Sequence, residues 1–376
     1  MKFLLINYEF PPLGGGSSTA SQNICKNIAN FNHKILVLTS HFKNLPYKET
    51  TNGYEIHRIK TLRKKVEQSN IIEMFSFILC SIFPCIKLIK QFKPDCIFAF
   101  FSIPGGLIAL ILNLLFKTPY IVFLRGGDVP GFDAKDKILN LFHFFTRPLI
   151  RYICKKAHSV VANSEGLRLL ALKEMPELEV LAIPNGVATD VFYPLQKNNE
   201  NSLVRVICTG RLVKQKGFDL LMQSLKTIPS ELWKLEIIGD GPEKQNLQIL
   251  AEKLEIKDKV LFGGWIAREN IVTKYQNADI FVLPSSGEGM SNTVLEAISS
   301  GLPVISTKVS GNDELIKKEQ NGILIPVNNI NALKNALERL INDPVLRTKM
   351  GEQSRKIALE YDWKIITKKL LQIITI

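Results

Sequence analysis

The sequence predicts an α/β protein made of two Rossmann-like domains that face each other across a cleft. Short apolar runs alternate with helical patterns along the whole chain, which is typical of βαβ units in parallel sheets. The 376 residues also exceed what one hydrophobic core usually supports. A polar stretch, Gln196–Ser202, falls near the midpoint and is the expected linker.

Ten apolar runs have the length and the turn-bounded setting of buried parallel strands. They are Phe3–Ile6, Lys34–Thr39, Cys96–Phe100, Tyr120–Phe123, Ser159–Ala162, Val204–Cys208, Lys234–Ile238, Lys259–Phe262, Ile280–Leu283 and Val304–Ser306. Five precede the linker and five follow it, which predicts domains at 1–196 and 197–360. Ligands of open α/β sheets lie beyond the carboxyl ends of the strands, so the motifs there are expected to meet in the cleft.

Two long apolar stretches raise the alternative of a membrane-spanning protein. Cys96–Phe116 is uncharged, but Pro104–Gly106 divides it, which favours a buried strand, turn and helix. Ile71–Ile89 predicts a helix broken at Pro84, with an apolar face either in the core or on a membrane. Solubility of the purified chain without detergent would exclude the spanning alternative.

The net charge of +13 is concentrated in the first half of the chain. Residues 1–190 carry 23 basic and 14 acidic side chains, and residues 191–376 carry 25 and 21. No nucleic-acid-binding signature accompanies this excess, so an anionic membrane surface or a phosphorylated substrate is preferred to a nucleic acid. The six cysteines lack metal or redox spacing, and the initial apolar run is too short for a secretion signal. A cytoplasmic protein with reduced, buried cysteines is therefore expected.

One loop places two carboxylates on either side of a helix start. Glu288 is flanked by glycines, and Glu296 lies about one turn into a helix that Ser291 can cap and Gly301 can end. The first N–H groups of this helix, at Gly289–Asn292, lie at the positive end of its macrodipole and can bind a phosphate. The alternative interpretation is that neither residue binds a ligand: Glu288 is then a solvated loop residue, and Glu296 only stabilises the start of the helix.

Two cations follow the first strand after the linker. Arg211 offers a planar donor fork and Lys216 a mobile ammonium, a pair suited to a diphosphate whose charge grows as it leaves. Gly14–Gly16 and Gly239–Gly241 predict tight turns after two other strands. The first turn does not match the dinucleotide fingerprint, because Thr19 occupies the third glycine position, so NAD binding is not expected.

Together these motifs resemble a family-four retaining glycosyltransferase of the GT-B fold, over nearly the whole chain. The resemblance is carried by Gly14–Gly16, Ile183–Val187 with Phe192, Gly210-Arg211 with Lys216-Gly217, Gly239–Pro242, Glu288 with Glu296-Ala297, Gly301–Ile305 and Tyr361–Trp363. It implies a last helix, within 361–376, that crosses back onto the first domain. It also implies retaining transfer from a UDP or GDP sugar with no protein nucleophile, metal or other cofactor, and the chain has no Asp-x-Asp motif.

The same resemblance gives each site residue an expected role. Glu288, Arg211 and Lys216 would be catalytic: Glu288 contacts hydroxyls of the donor sugar, and the two cations neutralise the departing diphosphate. Glu296 would hold the ribose hydroxyls. The donor is also expected to meet the backbone of Gly15, Gly16, Gly289, Met290, Ser291 and Asn292.

After the fourth apolar run the chain departs from the family pattern. Arg125 stands where many relatives carry a histidine. Arginine stays protonated at neutral pH, so Arg125 is expected to bind donor or acceptor charge, with Asp128 as the nearby candidate to orient the acceptor hydroxyl. A structural pair of Arg125 and Asp128 is the alternative.

The expected function is sugar transfer to a glycan or lipid-linked acceptor in bacterial surface polysaccharide or lipopolysaccharide synthesis. Lys137–Lys156 is aromatic and basic in turn, which suggests peripheral docking on the anionic inner leaflet of the plasma membrane; core helices with cationic ends explain the pattern as well. Two alternatives are a nucleotide-sugar 2-epimerase of the same fold and a non-catalytic sugar-nucleotide binding protein. Formation of an epimer from the donor alone would favour the first.

Overall fold

The computed structural model describes residues 1–66, 69–132, 137–195 and 203–374. The chain divides into two compact units, one formed by Met1–Asn185 with Trp363–Ile376 and the other by Gly186–Asp362. The expected linker, Gln196–Ser202, lies outside the described residues.

The first unit contains an eight-stranded sheet within the described residues. Its strands are β1 (Lys2–Ile6), β2 (Lys34–Ser40), β3 (Lys48–Thr51), β4 (Tyr54–Ile59), β5 (Cys96–Phe100), β6 (Tyr120–Leu124), β7 (Ser159–Ala162) and β8 (Val180–Ala182). They follow the order β3-β4-β2-β1-β5-β6-β7-β8, and only the pairing of β3 with β4 is antiparallel. β5 and β6 are buried along their whole length, as apolar strands covered on both faces must be.

Helices cover both faces of this sheet. They include α1 (Gly16–Asn30), α2 (Ile71–Phe92), α3 (Leu107–Phe116), α4 (Lys137–Lys156) and α5 (Glu165–Glu174). Phe77 of α2, Ile108 of α3 and Ile150 of α4 belong to one buried cluster with alternate residues of the strands. These three helices therefore form a layer on the same face of the sheet.

The second unit has a six-stranded sheet in its described part, and every strand pair in it is parallel. The strands are β9 (Val204–Thr209), β10 (Trp233–Ile238), β11 (Val260–Gly264), β12 (Ile280–Leu283), β13 (Val304–Thr307) and β14 (Gly322–Ile325). The helices are α6 (Phe218–Lys226), α7 (Lys244–Lys253), α8 (Arg268–Asn277), α9 (Asn292–Ser299), α10 (Asn312–Leu315), α11 (Ile330–Asn342) and α12 (Pro344–Leu359). The strand order is β11-β10-β9-β12-β13-β14, so it reverses between β9 and β12.

The last helix, α13 (Trp363–Ile374), belongs to the first unit and packs on α1. Trp363, Ile366 and Leu370 are 3%, 2% and 1% exposed. The predicted fold, including the return of the last helix to the first domain, is confirmed.

All ten predicted strands are present, and the structure adds four that the apolar pattern did not reveal: β3, β4, β8 and β14. β3 is polar and lies at the sheet edge, while β8 and β14 are only three and four residues long. Cys96–Phe116 forms β5, a short π-helical segment at Phe101–Gly106 and α3, so a strand and a helix lie on either side of the proline and glycines, as predicted.

Two expectations need correction. The helix α2 is not broken at Pro84 but continues to Phe92. Phe77 and Leu88, on either side of the proline, are buried in the core and hold both halves of the helix to the sheet. The second unit starts at Gly186, ahead of the expected boundary at 196, because Val187 and Phe192 are buried in its core.

Candidate functional site

The candidate site of the second unit lies where its strand order reverses. β9 and β12 pair side by side in parallel, so their carboxyl ends meet at one edge of the sheet. The crevice at such a reversal is the usual ligand position in open α/β sheets. The loops that leave these two strands carry Arg211, Lys216 and Glu288.

The backbone after β9 is packed closely by the turn after β10. Gly239 has a φ of +143°, and a Cβ atom there would lie 1.9 Å from the carbonyl oxygen of Gly210. Only glycine fits such an approach in this conformation. Arg211 follows at the exposed surface, and Lys216 extends beside Gly210, with Cε 3.5 Å from the position of a Cβ on that glycine.

Lys216 and Glu288 form an ion pair between the two loops. The Nζ to Oε1 distance is 2.7 Å, and the side chains are only 17% and 12% exposed. Gln215 Nε2 donates to the carbonyl of Gly287 at 2.7 Å, and the N–H of Ser286 donates to the carbonyl of Gln215 at 2.8 Å. The loops after β9 and β12 are thus joined, and a cation lies beside its counterion at the sheet edge.

The helix α9 begins where the sequence predicted. Ser291 is its N-cap residue and accepts a hydrogen bond from the N–H of Val294 at 3.4 Å. The helix ends at Ser299, and Gly301 follows with a φ of +75°. The segment from Gly289 to the first helical residue therefore leads directly from Glu288 into a positive helix end.

Glu296 is held by a tyrosine that the sequence did not single out. Tyr275, on α8, is fully buried, and its hydroxyl donates to Glu296 Oε2 at 3.1 Å. The same hydroxyl lies 2.7 Å from Thr209 Oγ1, at the end of β9. Glu296 is therefore linked to the strand that leads into Arg211.

In the first unit, Gly15 and Gly16 form the entrance to α1. Gly15 is the N-cap residue and Gly16 the first helical residue. Among the described residues, and apart from its two chain neighbours, none has an atom within 4 Å of the position that a Cβ on Gly15 would take.

Arg125 and Asp128 do not form the ion pair that was the alternative for them. Arg125 donates to Asn185 Oδ1 at 2.8 Å, and its guanidinium lies 4.5 Å from the ring centre of Phe100. Burial lowers the pKa of Arg125 to about 10, still protonated at neutral pH. Arg125 thus remains a positive group on an aromatic platform.

Asp128 is occupied by backbone donors. One carboxylate oxygen accepts the N–H groups of Arg125 and Gly126 at 2.8 and 3.1 Å, and the other accepts the N–H of Ser102 at 2.9 Å. Burial raises the pKa of this carboxyl, and the N–H donors oppose that shift. The geometry favours a role in shaping the loop after β6; the predicted role toward an acceptor hydroxyl stays a prediction.

Among the described residues, no three His, Cys, Asp or Glu side chains are placed to hold a metal ion. Metal independence therefore stays a prediction. Five of the six cysteines are buried, as expected, but Cys80 is exposed.

Two comparisons identify the class of protein. A sucrose-phosphate synthase from Thermosynechococcus elongatus has the same fold, with a TM-score of 0.87 at 20% identity, covering 99% of this chain and 98% of that one. The family model for glycosyl transferases group 1 matches residues 195–357, and the model for glycosyltransferase family 4 matches residues 14–191. The fold and the two matches define a glycosyltransferase of the GT-B fold.

Two curated relatives give the family directly. An uncharacterized glycosyltransferase of Haemophilus influenzae is 30% identical over 294 residues, covering 73% of this chain and 80% of that protein. The UDP-Gal:alpha-D-GlcNAc-diphosphoundecaprenol alpha-1,3-galactosyltransferase of Escherichia coli is 30% identical over 287 residues, covering 69% and 70%. The chain belongs to the group 1, family 4 glycosyltransferases, as predicted.

Proposed function

We propose that this protein transfers a sugar, with retention of the anomeric configuration and without a metal ion, from a UDP or GDP sugar to a glycan or lipid-linked acceptor in bacterial surface polysaccharide or lipopolysaccharide synthesis. The observation that carries the proposal is the pairing of Lys216 with Glu288 at the carboxyl ends of β9 and β12. The similar Escherichia coli enzyme is named for a UDP-linked donor and a diphosphoundecaprenol-linked acceptor, which supports this choice of substrates.

The proposed reaction breaks the bond between the anomeric carbon and the diphosphate oxygen and forms a bond to the acceptor hydroxyl oxygen. The acceptor proton passes to the departing diphosphate. Lys216 and Arg211 stabilise the charge that grows on that diphosphate, together with the N–H groups at the start of α9. The incoming anion releases Glu288 from Lys216. Glu288 then accepts hydrogen bonds from hydroxyls of the donor sugar, and Glu296 accepts hydrogen bonds from the ribose hydroxyls.

For the first unit, we propose that Arg125 and the open turn at Gly15 and Gly16 bind charged or polar groups of the substrates. The guanidinium keeps its charge at neutral pH, and it lies over the face of the Phe100 ring, where a cation is attracted by the π-electrons. Asp128 supports this arrangement through the backbone of Arg125.

The function is tested by combining binding and turnover. UDP and GDP sugars are screened by thermal shift, and the stabilising donor is incubated with and without membrane-extracted acceptor while products are identified by mass. We expect Lys216→Ala to lower kcat/KM at least about 100-fold, as removal of one charge-stabilising group usually does. The control Glu255→Gln changes a side chain that is 84% exposed in the same unit and should leave turnover unchanged.

Three outcomes would contradict this function. An epimer formed from the donor alone would indicate the 2-epimerase, and binding without product would indicate a non-catalytic protein. Full activity of Lys216→Ala would remove the proposed role of the ion pair.

We further propose that the protein acts on the cytoplasmic face of the plasma membrane and docks there through α2 and α4. On α2, Ile72, Phe75, Leu79 and Phe83 are 69%, 54%, 68% and 82% exposed. They recur at helical spacing on one face, while the opposite face is buried in the core. α2 is long and apolar enough to cross a membrane by length and composition, and 33% of its most apolar stretch is buried in the protein. Its buried face favours docking over spanning.

The helix α4 adds a second exposed apolar stripe to the same layer. Ile138, Leu141, Phe144 and Phe145 are 72%, 61%, 75% and 72% exposed. The segment Lys137–Lys156 contains no acidic residue, and it ends in two lysines. Apolar side chains flanked by cations suit the interface of an anionic bilayer.

Flotation with vesicles that contain phosphatidylglycerol tests this docking. We expect binding by the native protein and roughly tenfold weaker partitioning for the double variant F83E/F144E, since each phenylalanine loses its burial in the bilayer. Val345→Glu is the matched control, because Val345 is 76% exposed but lies on α12 of the second unit. Equal flotation of F83E/F144E and the native protein would contradict docking through these helices.

A further inference from the structure

The hydroxyl of Tyr275 joins two elements that border the candidate site. It contacts Thr209, the last residue of β9, and Glu296, on the second turn of α9. β9 and β12 are the strands between which the sheet order reverses, and α9 follows β12. The contact therefore spans the position expected for the ligand.

The direction of the hydrogen bonds follows from the chemistry of the three groups. An ionised carboxylate only accepts, so the single phenolic proton of Tyr275 goes to Glu296. Thr209 must then donate its own hydroxyl proton to the phenolic oxygen. The result is a directed chain from Thr209 through Tyr275 to the carboxylate, and such chains strengthen each bond in low-dielectric surroundings.

Tyr275 itself has little freedom to move. Its side chain is 0% exposed, and its ring packs against Phe192 and Phe281, with ring centres 5.9 and 6.0 Å away. Thr209 is 1% exposed. Because this rigid donor holds one carboxylate oxygen of Glu296, it restricts the rotamers of that side chain before the ligand binds. Less conformational entropy is then lost on binding.

We infer that Tyr275, supported by Thr209, is a positioning residue that fixes Glu296 for the ribose hydroxyls of the donor nucleotide. One oxygen, Oε2, is held by the tyrosine, and the carboxylate still has acceptor capacity for hydroxyls of the ligand. This inference rests on the proposed function, in which Glu296 binds ribose.

The experiment compares two nucleotides on two test variants and two control variants. The probe is whichever of UDP and GDP binds the native protein more tightly by calorimetry, together with its 2′,3′-dideoxy form. Tyr275→Phe keeps the ring between its neighbours and removes only the hydroxyl. We expect it to weaken the complete nucleotide roughly threefold to tenfold, the loss of one hydrogen bond, and to leave the dideoxy nucleotide unchanged. Thr209→Val should shift affinity in the same direction by a smaller factor.

Two controls separate the possible failures. Glu296→Ala should bind both nucleotides equally; if it still prefers the complete nucleotide as the native protein does, the proposed role of Glu296 fails. Tyr361→Phe removes a hydroxyl elsewhere in the same unit and should change neither affinity. If Glu296→Ala behaves as expected but Tyr275→Phe weakens both nucleotides equally, or neither, then Tyr275 is structural only and the inference is overturned.

Discussion

Asp128 shows how one side chain can organise a loop. Its two carboxylate oxygens collect three backbone N–H groups, from Ser102, Arg125 and Gly126. Two of these belong to the turn after β6, and the third belongs to the turn after β5. The orientation of Arg125 therefore depends on this carboxylate.

Replacement of Asp128 by asparagine tests that dependence. The amide group turns one acceptor into a donor, so at least one buried N–H loses its partner, and we expect the free energy of unfolding to fall by about 1–3 kcal/mol. Chemical denaturation measures the change, with Asp190→Asn, at an exposed position, as the control. Unchanged stability together with lost turnover would instead indicate that Asp128 acts on the acceptor hydroxyl.

At the residue scale, the sequence predicted the positions of those site residues that follow a strand or begin a helix. Lys216, Glu288 and Glu296 follow recognisable strands or lie in a recognisable helix, so their positions could be inferred. The contacts of Tyr275 with Glu296 and of Ser102 with Asp128 could not, because they join residues 21 and 26 positions apart, across separate elements. No local pattern marks such partners.

At the scale of secondary-structure elements, the turn after β10 sets how closely two loops approach. A Cβ on Gly239 would overlap the carbonyl oxygen of Gly210, at a φ that other residues rarely adopt. The sequence indicated a glycine turn here, but not which backbone it meets, since that depends on the pairing of β9 with β10.

We expect Gly239→Ala to destabilise the second unit by more than about 1 kcal/mol, because the native φ is incompatible with alanine and the methyl group has no room. Urea denaturation monitored by tryptophan fluorescence measures this, since Trp233 is fully buried in β10. The control Gly287→Ala meets only the end of Gln215, at 3.5 Å, and should change stability little. Equal effects of the two substitutions would contradict the close approach.

The boundaries of the ten predicted strands were correct to within one or two residues, while short or polar strands were not predicted. β12 has the same bounds as the apolar run that predicted it, and β9 is one residue longer than its own predicted run. β3 has no apolar face and exists because β4 offers it a partner. Strands of that kind are determined by pairing rather than by burial.

At the scale of the whole molecule, the two units are not simply the first and second halves of the chain, because the first unit also contains the last helix. The two parallel sheets were predictable from alternation, and the return of α13 from the resemblance to a family. The start of the second unit at Gly186 was not, because it depends on which core receives Phe192.

The docking of α13 can be tested with two adjacent isoleucines. Ile366 is 2% exposed and Ile365 is 41% exposed. Ile366→Ala should cost about 2–5 kcal/mol, the usual range for a buried isoleucine, and Ile365→Ala much less. Calorimetric unfolding measures both, and similar losses would mean that the helix does not depend on its buried face.

The closing role of α13 has a consequence for synthesis on the ribosome. Polypeptides emerge from their amino end, and domains generally fold in that order. Here residues 186–362 form an uninterrupted unit, whereas the other unit lacks Trp363–Ile374 until all of residues 186–362 have been translated. The first unit is therefore completed only after the second has been made, and the nascent chain must keep the surface of α1 uncovered until α13 leaves the exit tunnel.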